Sequence, residues 1–251
     1  MIPNNFHELN YSKIATYLFC PYLYKLKYIE GKREGLVPVT SLGVSIHKTL
    51  EEYHTYSNNP EDLLMYYNRC FLGAGYSSAQ EQMEFYLRGK RIIEAYSKQE
   101  QNRKSEILGC ETEFKFEYRD WTFRGKIDRF EQLPDGSYHV IDYKTDGKVS
   151  EEFDVTKSLQ LALYSIGAKR AWGKNKGKAS IYFVALNKIL SIPFDDVDEE
   201  KTLQRYIEIG QKLEGTIFLP RTEVCAQCLM RMRCRYSSHP ERHIKIYKKS
   251  L

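Results

Sequence analysis

The stretch WTFRGKIDRFEQLPDGSYHVIDYKT, residues 121–145, contains two strands and the turn that joins them. Residues 121–133 and 137–144 alternate apolar and polar side chains and are rich in β-branched and aromatic types, and Pro134-Asp135-Gly136 supplies turn chemistry between them. Successive side chains of a strand point to opposite faces, so Asp142 and Lys144 share one face and Tyr143 takes the other. A three-residue hairpin loop at 134–136 sets Asp128 directly opposite Asp142. Two carboxylates and an ammonium then converge. Like charges facing each other across a ladder need a cation between them, and Mg2+ or Mn2+ prefers carboxylate and water oxygens and can bridge to a phosphate. Taken alone, an Asp, Asp and Lys trio is also what an ordinary solvated strand face looks like.

Upstream, residues 107–118 alternate in the same way, which makes an antiparallel meander with the hairpin. Glu111 and Glu113 on that strand read as a solvated face and stay outside the site. The preceding residues have helical periodicity. Ser12 caps a helix running to about residue 28 with Ile14, Leu18, Tyr22 and Leu26 as its apolar stripe and Pro21 as its breaking point. Thr40 or Ser41 opens a second helix that carries His47 midway, and 61–72 and 79–101 are two more, parted by Gly73-Ala74-Gly75. Downstream come a helix at 157–172, strands at 179–186 and 189–193, and a helix at 197–214. This order predicts an α/β fold of mixed α+β type, a central mixed sheet flanked by helices. It fits one domain over 1–251, with a helical region at 11–105, the sheet core at 106–195 and a C-terminal part at 196–251.

The chain has 251 residues, 42% hydrophobic and 28% charged, with 20 Tyr and 12 Phe, which is a globular rather than a disordered profile. Its net charge of +5 favours a polyanionic partner, and the basic residues cluster, with one run in the tail from Arg242 to Lys249. Neither a signal peptide nor a run of about 18 apolar residues is visible, so a cytoplasmic, nucleoid-associated protein without a membrane anchor is expected. No Gly-x-x-x-x-Gly-Lys-Ser/Thr loop is present, so any helicase motor belongs to a separate repair or recombination partner.

Val140-Ile141-Asp142-Tyr143-Lys144-Thr145 resembles the DYKT-type motif of the PD-(D/E)XK nuclease superfamily, and Gly125-Lys126-Ile127-Asp128 resembles its preceding G-x-x-D element. The likeness is to the RecB-like exonuclease branch. Gln160 and Tyr164 match that branch's Gln-x-x-x-Tyr element, and Gly43 with His47 match its upstream helical histidine. The resemblance implies a restriction-endonuclease-like core and a Mg2+- or Mn2+-dependent deoxyribonuclease. It casts Asp128, Asp142 and Lys144 as catalytic, and His47, Asp128, Asp142 and the backbone carbonyl of Tyr143 as metal ligands. Gln160 and Tyr164 would contact DNA or support the site. The expected activity is exonucleolytic, on single strands or DNA ends, in repair, recombination or processing. The alternatives are a non-catalytic iron-sulfur DNA-binding or assembly module and a nuclease trimming DNA for CRISPR spacer acquisition.

Cys225, Cys228 and Cys234 are spaced to let several thiolates reach one metal centre, with a fourth ligand to come from Cys20, Cys70, Cys110 or His239. Cys20-Pro21 and the approach Phe218-Leu219-Pro220-Arg221 resemble the iron-sulfur nucleases of the RecB-like branch. That likeness implies a 4Fe-4S cluster on Cys20, Cys225, Cys228 and Cys234, a structural tie between distant parts of the chain. Zinc is the alternative, because four thiolates also satisfy its tetrahedral preference. Cys70 and Cys110 are expected to be buried thiols without a function.

Overall fold

The computed structural model describes residues 7–151 and 153–237. The Arg242 to Lys249 tail and His239 lie outside the described residues. In chain order the elements are β1 (Glu8–Leu9), α1 (Tyr11–Phe19), α2 (Pro21–Tyr24), α3 (Pro38–Tyr56), α4 (Leu63–Cys70) and α5 (Ala79–Glu100). They continue with β2 (Glu106–Tyr118), β3 (Trp121–Gln132), β4 (Tyr138–Lys144), α6 (Leu159–Trp172), β5 (Gly177–Phe183), β6 (Lys188–Pro193) and α7 (Glu199–Leu213). The chain divides into two compact units, Leu36–Leu203 and Met1–Gly35 with Gln204–Leu251.

The Leu36–Leu203 unit holds a mixed sheet. β2, β3 and β4 form the expected antiparallel meander, β4 pairs in parallel with β5, and β5 pairs antiparallel with β6. Helix α6 makes the crossover that a parallel β4–β5 pair requires. Arg129 stands opposite Ile141 in the β3–β4 hairpin, the register anticipated from the Pro134-Asp135-Gly136 loop. One face is covered by α3, α4 and α5. Leu42, Ile46, Leu50 and Tyr53 form the apolar stripe of α3 and pack with Ile93 and Tyr96 against Ile141, Tyr143 and Tyr182 of the sheet. Helix α6 covers the opposite face, where Trp172 lies 4.6 Å from the Phe130 ring and Tyr164 meets Phe114 edge to face.

Two helix starts differ from expectation. Asn10, not Ser12, caps α1, its side chain accepting from the Lys13 N–H. Helix α3 begins at Pro38, before Thr40, since a proline costs nothing at a position whose N–H has no helical partner. The proline at 21 does more than kink. It drives Cys20 into extended backbone (φ −160°, ψ 116°), ends α1 at Phe19 and opens α2, so Cys20 sits in the break between helices rather than on one. Among the described residues no helix is long and apolar enough to cross a membrane.

Candidate functional site

β4 places its side chains as its alternation dictates. Asp142 turns toward α6, where its Oδ1 accepts from Gln160 Nε2 at 2.6 Å, and its Oδ2 lies 2.6 Å from Lys144 Nζ. Gln160 also donates to Tyr164 Oη at 3.1 Å, one helical turn on. Both Gln160 and Tyr164 are buried, so they brace Asp142 from beneath instead of facing solvent. Burial pushes the Asp142 carboxyl above its ordinary value, the nearby Lys144 ammonium pulls it back and Asp128 adds to the rise.

Asp128 accepts the Tyr143 backbone N–H at 2.7 Å, and His47 Nδ1 lies 3.4 Å from the same carboxylate oxygen. His47 reaches this point because it lies on α3 beside the apolar stripe. One turn earlier, Gly43 passes so near Thr145 that an added Cβ would stand 3.3 Å from its Oγ1. Burial lowers the His47 imidazole, but the hydrogen-bonded Asp128 carboxylate, with Asp142 behind it, outweighs burial and raises it overall.

The structure adds a residue that sequence reasoning set aside. Glu111, His47 and Asp128 each offer a ligand atom, all within 4.8 Å of one another. Cys110 pairs with Arg129 and Thr112 with Ile127, so Glu111 stands across β2 and β3 from Asp128. The signal was available in the sequence. A two-residue turn at Arg119-Asp120, which pairs Tyr118 with Trp121, fixes that register. Glu111 has a left-handed φ of 49°, a strained conformation for a side chain of its size, and pairs with Lys126. A carboxylate–imidazole set of this kind suits a hard divalent ion.

The other face of the same strands carries a buried polar network that sequence reasoning missed. Arg129 follows Asp128, and its Nη1 donates to Tyr96 Oη (2.7 Å) and Glu100 Oε1 (2.9 Å), while its Nε lies 3.1 Å from Glu131. Tyr143 follows Asp142 and its hydroxyl meets Tyr96 at 2.8 Å, with His54 Nε2 2.7 Å from that Tyr96 hydroxyl. Burial and the adjacent Arg129 hold His54 well below its ordinary value. Glu131, opposed by burial but hydrogen-bonded by His139 and facing Arg129, falls to about 2. The backbone that presents Asp128 and Asp142 is thereby clamped on the side of α3 and α5.

The cysteines separate into two groups. Cys20, Cys225, Cys228 and Cys234 line one cavity in the unit formed by the chain's two outer segments. Cys20 Sγ accepts the Arg221 backbone N–H at 3.4 Å. Burial raises the Cys228 thiol, the Met230 N–H opposes it and the three other thiols add to the rise. Among the described residues no three of these sulfurs lie within 4.8 Å of one another. Cys70 and Cys110 belong to the other unit and are half-buried rather than buried, with burial raising both thiols to about 11.

No curated protein matches the chain. Among solved structures it resembles a candidate exonuclease of Eubacterium rectale at 15% identity and a TM-score of 0.52, over 89% of this chain and 88% of that one. The protein SSO0001 matches at 17% identity, with 81% and 87% coverage and a TM-score of 0.37, too distant to support an argument. The first likeness supports the fold alone. The family model for the PD-(D/E)XK nuclease superfamily matches residues 8–235, a span that takes in the His47, Asp128, Asp142 and Lys144 cluster, and the chain belongs to that superfamily.

Proposed function

We propose that the chain is a Mg2+- or Mn2+-dependent deoxyribonuclease that acts on single strands or DNA ends, in the manner of the RecB-like branch. The observation that carries this reading is the convergence of His47, Glu111 and Asp128 within ligand distance, beside a buried Asp142 paired with Lys144 at 2.6 Å. His47, Glu111, Asp128 and Asp142, with the Tyr143 carbonyl, would hold the ion. Bound there, it would supply Lewis-acid polarisation of the phosphoryl group and a water of lowered pKa. Lys144, a third exposed, offsets negative charge on the phosphoryl oxygens as the transition state forms. Gln160 fixes the rotamer of Asp142, so one carboxylate oxygen is committed to the amide and the other faces the site.

For the second centre we favour a 4Fe-4S cluster on Cys20, Cys225, Cys228 and Cys234 over zinc. Four thiolates alone would satisfy zinc as well, and what favours the cluster is the resemblance of Cys20-Pro21 and of the approach Phe218-Leu219-Pro220-Arg221 to the iron-sulfur nucleases. The backbone N–H on Cys20 Sγ also suits a thiolate held in place for such a ligand. Its role would be structural.

The test is cleavage of end-labelled single-stranded and duplex DNA, with Mn2+, with Mg2+ and with chelator, by the wild type and by Asp142→Asn and Lys144→Ala. Circular dichroism confirms that the variants are folded. Cleavage that needs the metal and falls by at least about a hundredfold in both folded variants is the expected outcome. Undiminished cleavage by both sinks the assignment.

A further inference from the structure

The cysteine-lined cavity contains one charged group that protein contacts satisfy only in part. Arg231 is only 5% exposed and lines the cavity beside Cys20, Cys225, Cys228 and Cys234. Its Nη1 donates to the Ala226 carbonyl at 2.9 Å, but Nε and Nη2 are buried and have no acceptor among the described residues. Among the described residues no carboxylate lines the cavity. A guanidinium is permanently charged, and burying one with two idle donor nitrogens is unfavourable unless an anion or acceptor meets it. Arg129, the other arginine buried to this degree among the described residues, is met by Glu100 and Glu131, whereas no carboxylate meets Arg231.

The geometry points to Arg231 as a cluster-binding residue, its idle N–H groups donating to the sulfurs of a 4Fe-4S cluster held by the four cysteines. This inference rests on the iron-sulfur reading above. Four thiolates around a four-iron core give a dianion, and reduction adds one more negative charge. A fixed buried cation stabilises the reduced form more than the oxidised one, so Arg231 raises the reduction potential and helps retain the cluster. Arg221 at the rim is half exposed and already bound to Glu223 and the Leu18 carbonyl, so it cannot take that role. The segment supports the arrangement, for Arg231 opens the 3-10 turn Arg231–Arg233 between Cys228 and Cys234, and its backbone N–H is tied to the Cys228 carbonyl.

The experiment uses the full chain prepared without oxygen as wild type, Arg231→Lys and Arg231→Met, with iron and acid-labile sulfide measured per chain and the potential found by redox titration. The wild type is expected to be brown with four irons. Arg231→Met should shift the one-electron equilibrium at least tenfold toward the oxidised form, about 59 mV lower in potential, with Arg231→Lys between the two. Loss of iron from Arg231→Met with retention in Arg231→Lys supports the same role. Both variants loading iron at the wild-type potential would overturn it, as would equal loss of iron from both. A colourless wild type that contains zinc instead defeats the iron-sulfur reading itself, an outcome separable from failure of Arg231 alone.

Discussion

Gly125→Ala tests how the motif glycine shapes the site. An ideal Cβ at Gly125 would stand 2.3 Å and 2.4 Å from Phe114 Cζ and Cε1, where carbon atoms are at ease at about 3.5–4.0 Å. The ring must retreat by more than about 1 Å, and it has nowhere to go. On its far side lies Gly167 of α6, where a Cβ would meet the same ring at 2.6 Å, and Phe116, Tyr164 and Trp172 close the remaining directions. Phe114 is thus held between two glycine backbones, and overpacking of this kind costs about 1–3 kcal/mol. For a chain of this length that is roughly 2–12 °C in Tm. The consequence for activity follows from the helix. Gln160, Tyr164 and Gly167 lie on one face of α6, so a helix pushed off the sheet withdraws Gln160 from Asp142. Urea unfolding and single-turnover cleavage are the assays, with Phe114→Leu and the double variant completing a cycle. The expected result is a loss in both stability and rate, with a smaller stability loss when Phe114 is already Leu. A Gly125→Ala protein within about 0.5 kcal/mol of wild type, or an equal loss in the Phe114→Leu background, refutes the reasoning.

Other perturbations follow from the same geometry. Gln160→Leu should lower the cleavage rate at saturating DNA more than it weakens binding measured by anisotropy, because the amide braces Asp142 and is not exposed; an equal effect on both would assign it to DNA contact. Acid should act through Glu131: its folded value of about 2 lies below the ordinary 4.5, so the unfolded chain takes the proton first as pH falls. Stability present at neutral pH is lost between about 4.5 and 2, by at most about 3 kcal/mol, and Glu131→Gln should flatten that slope in chemical denaturation; parallel slopes for the two proteins would refute it. Cys20→Ser should abolish the brown colour and expose the outer segments to limited proteolysis, with Leu36–Leu203 surviving as the resistant fragment. A resistant pattern identical to wild type would count against a structural role for Cys20.

The hairpin bearing Asp128 and Asp142 was legible because its register is local, set by Pro134-Asp135-Gly136 and a two-residue period. The long elements were legible for a similar reason, since periodicity over ten or more residues needs no tertiary information. What escaped was of two kinds. Helix starts at Asn10 and Pro38 depend on cap geometry, where several adjacent residue types are chemically acceptable. The network of Arg129, Glu100, Tyr96, His54 and Tyr143 joins α3, α5, β3 and β4, and charged residues read one at a time look like solvent-facing ones. Glu111 failed for that reason too, although the register that places it was readable from the Arg119-Asp120 turn.

The unit that holds the four cysteines is built from Met1–Gly35 and Gln204–Leu251, with the whole of Leu36–Leu203 lying between them in the chain. This imposes an order on biogenesis. Synthesis proceeds at about 5–20 residues per second, so the first of these segments waits on the order of ten seconds before the second exists. During that interval Leu23 and Leu26, which pack with Cys228 and Met230 at completion, lack part of their final surroundings, while the sheet and its helices can already assemble. Cys20 waits with them, before Cys225, Cys228 and Cys234 have been made. A group that needs all four thiols can enter the cavity only once Cys234 has been made, whereas His47, Asp128, Asp142 and Lys144 all precede the second of these segments in the chain.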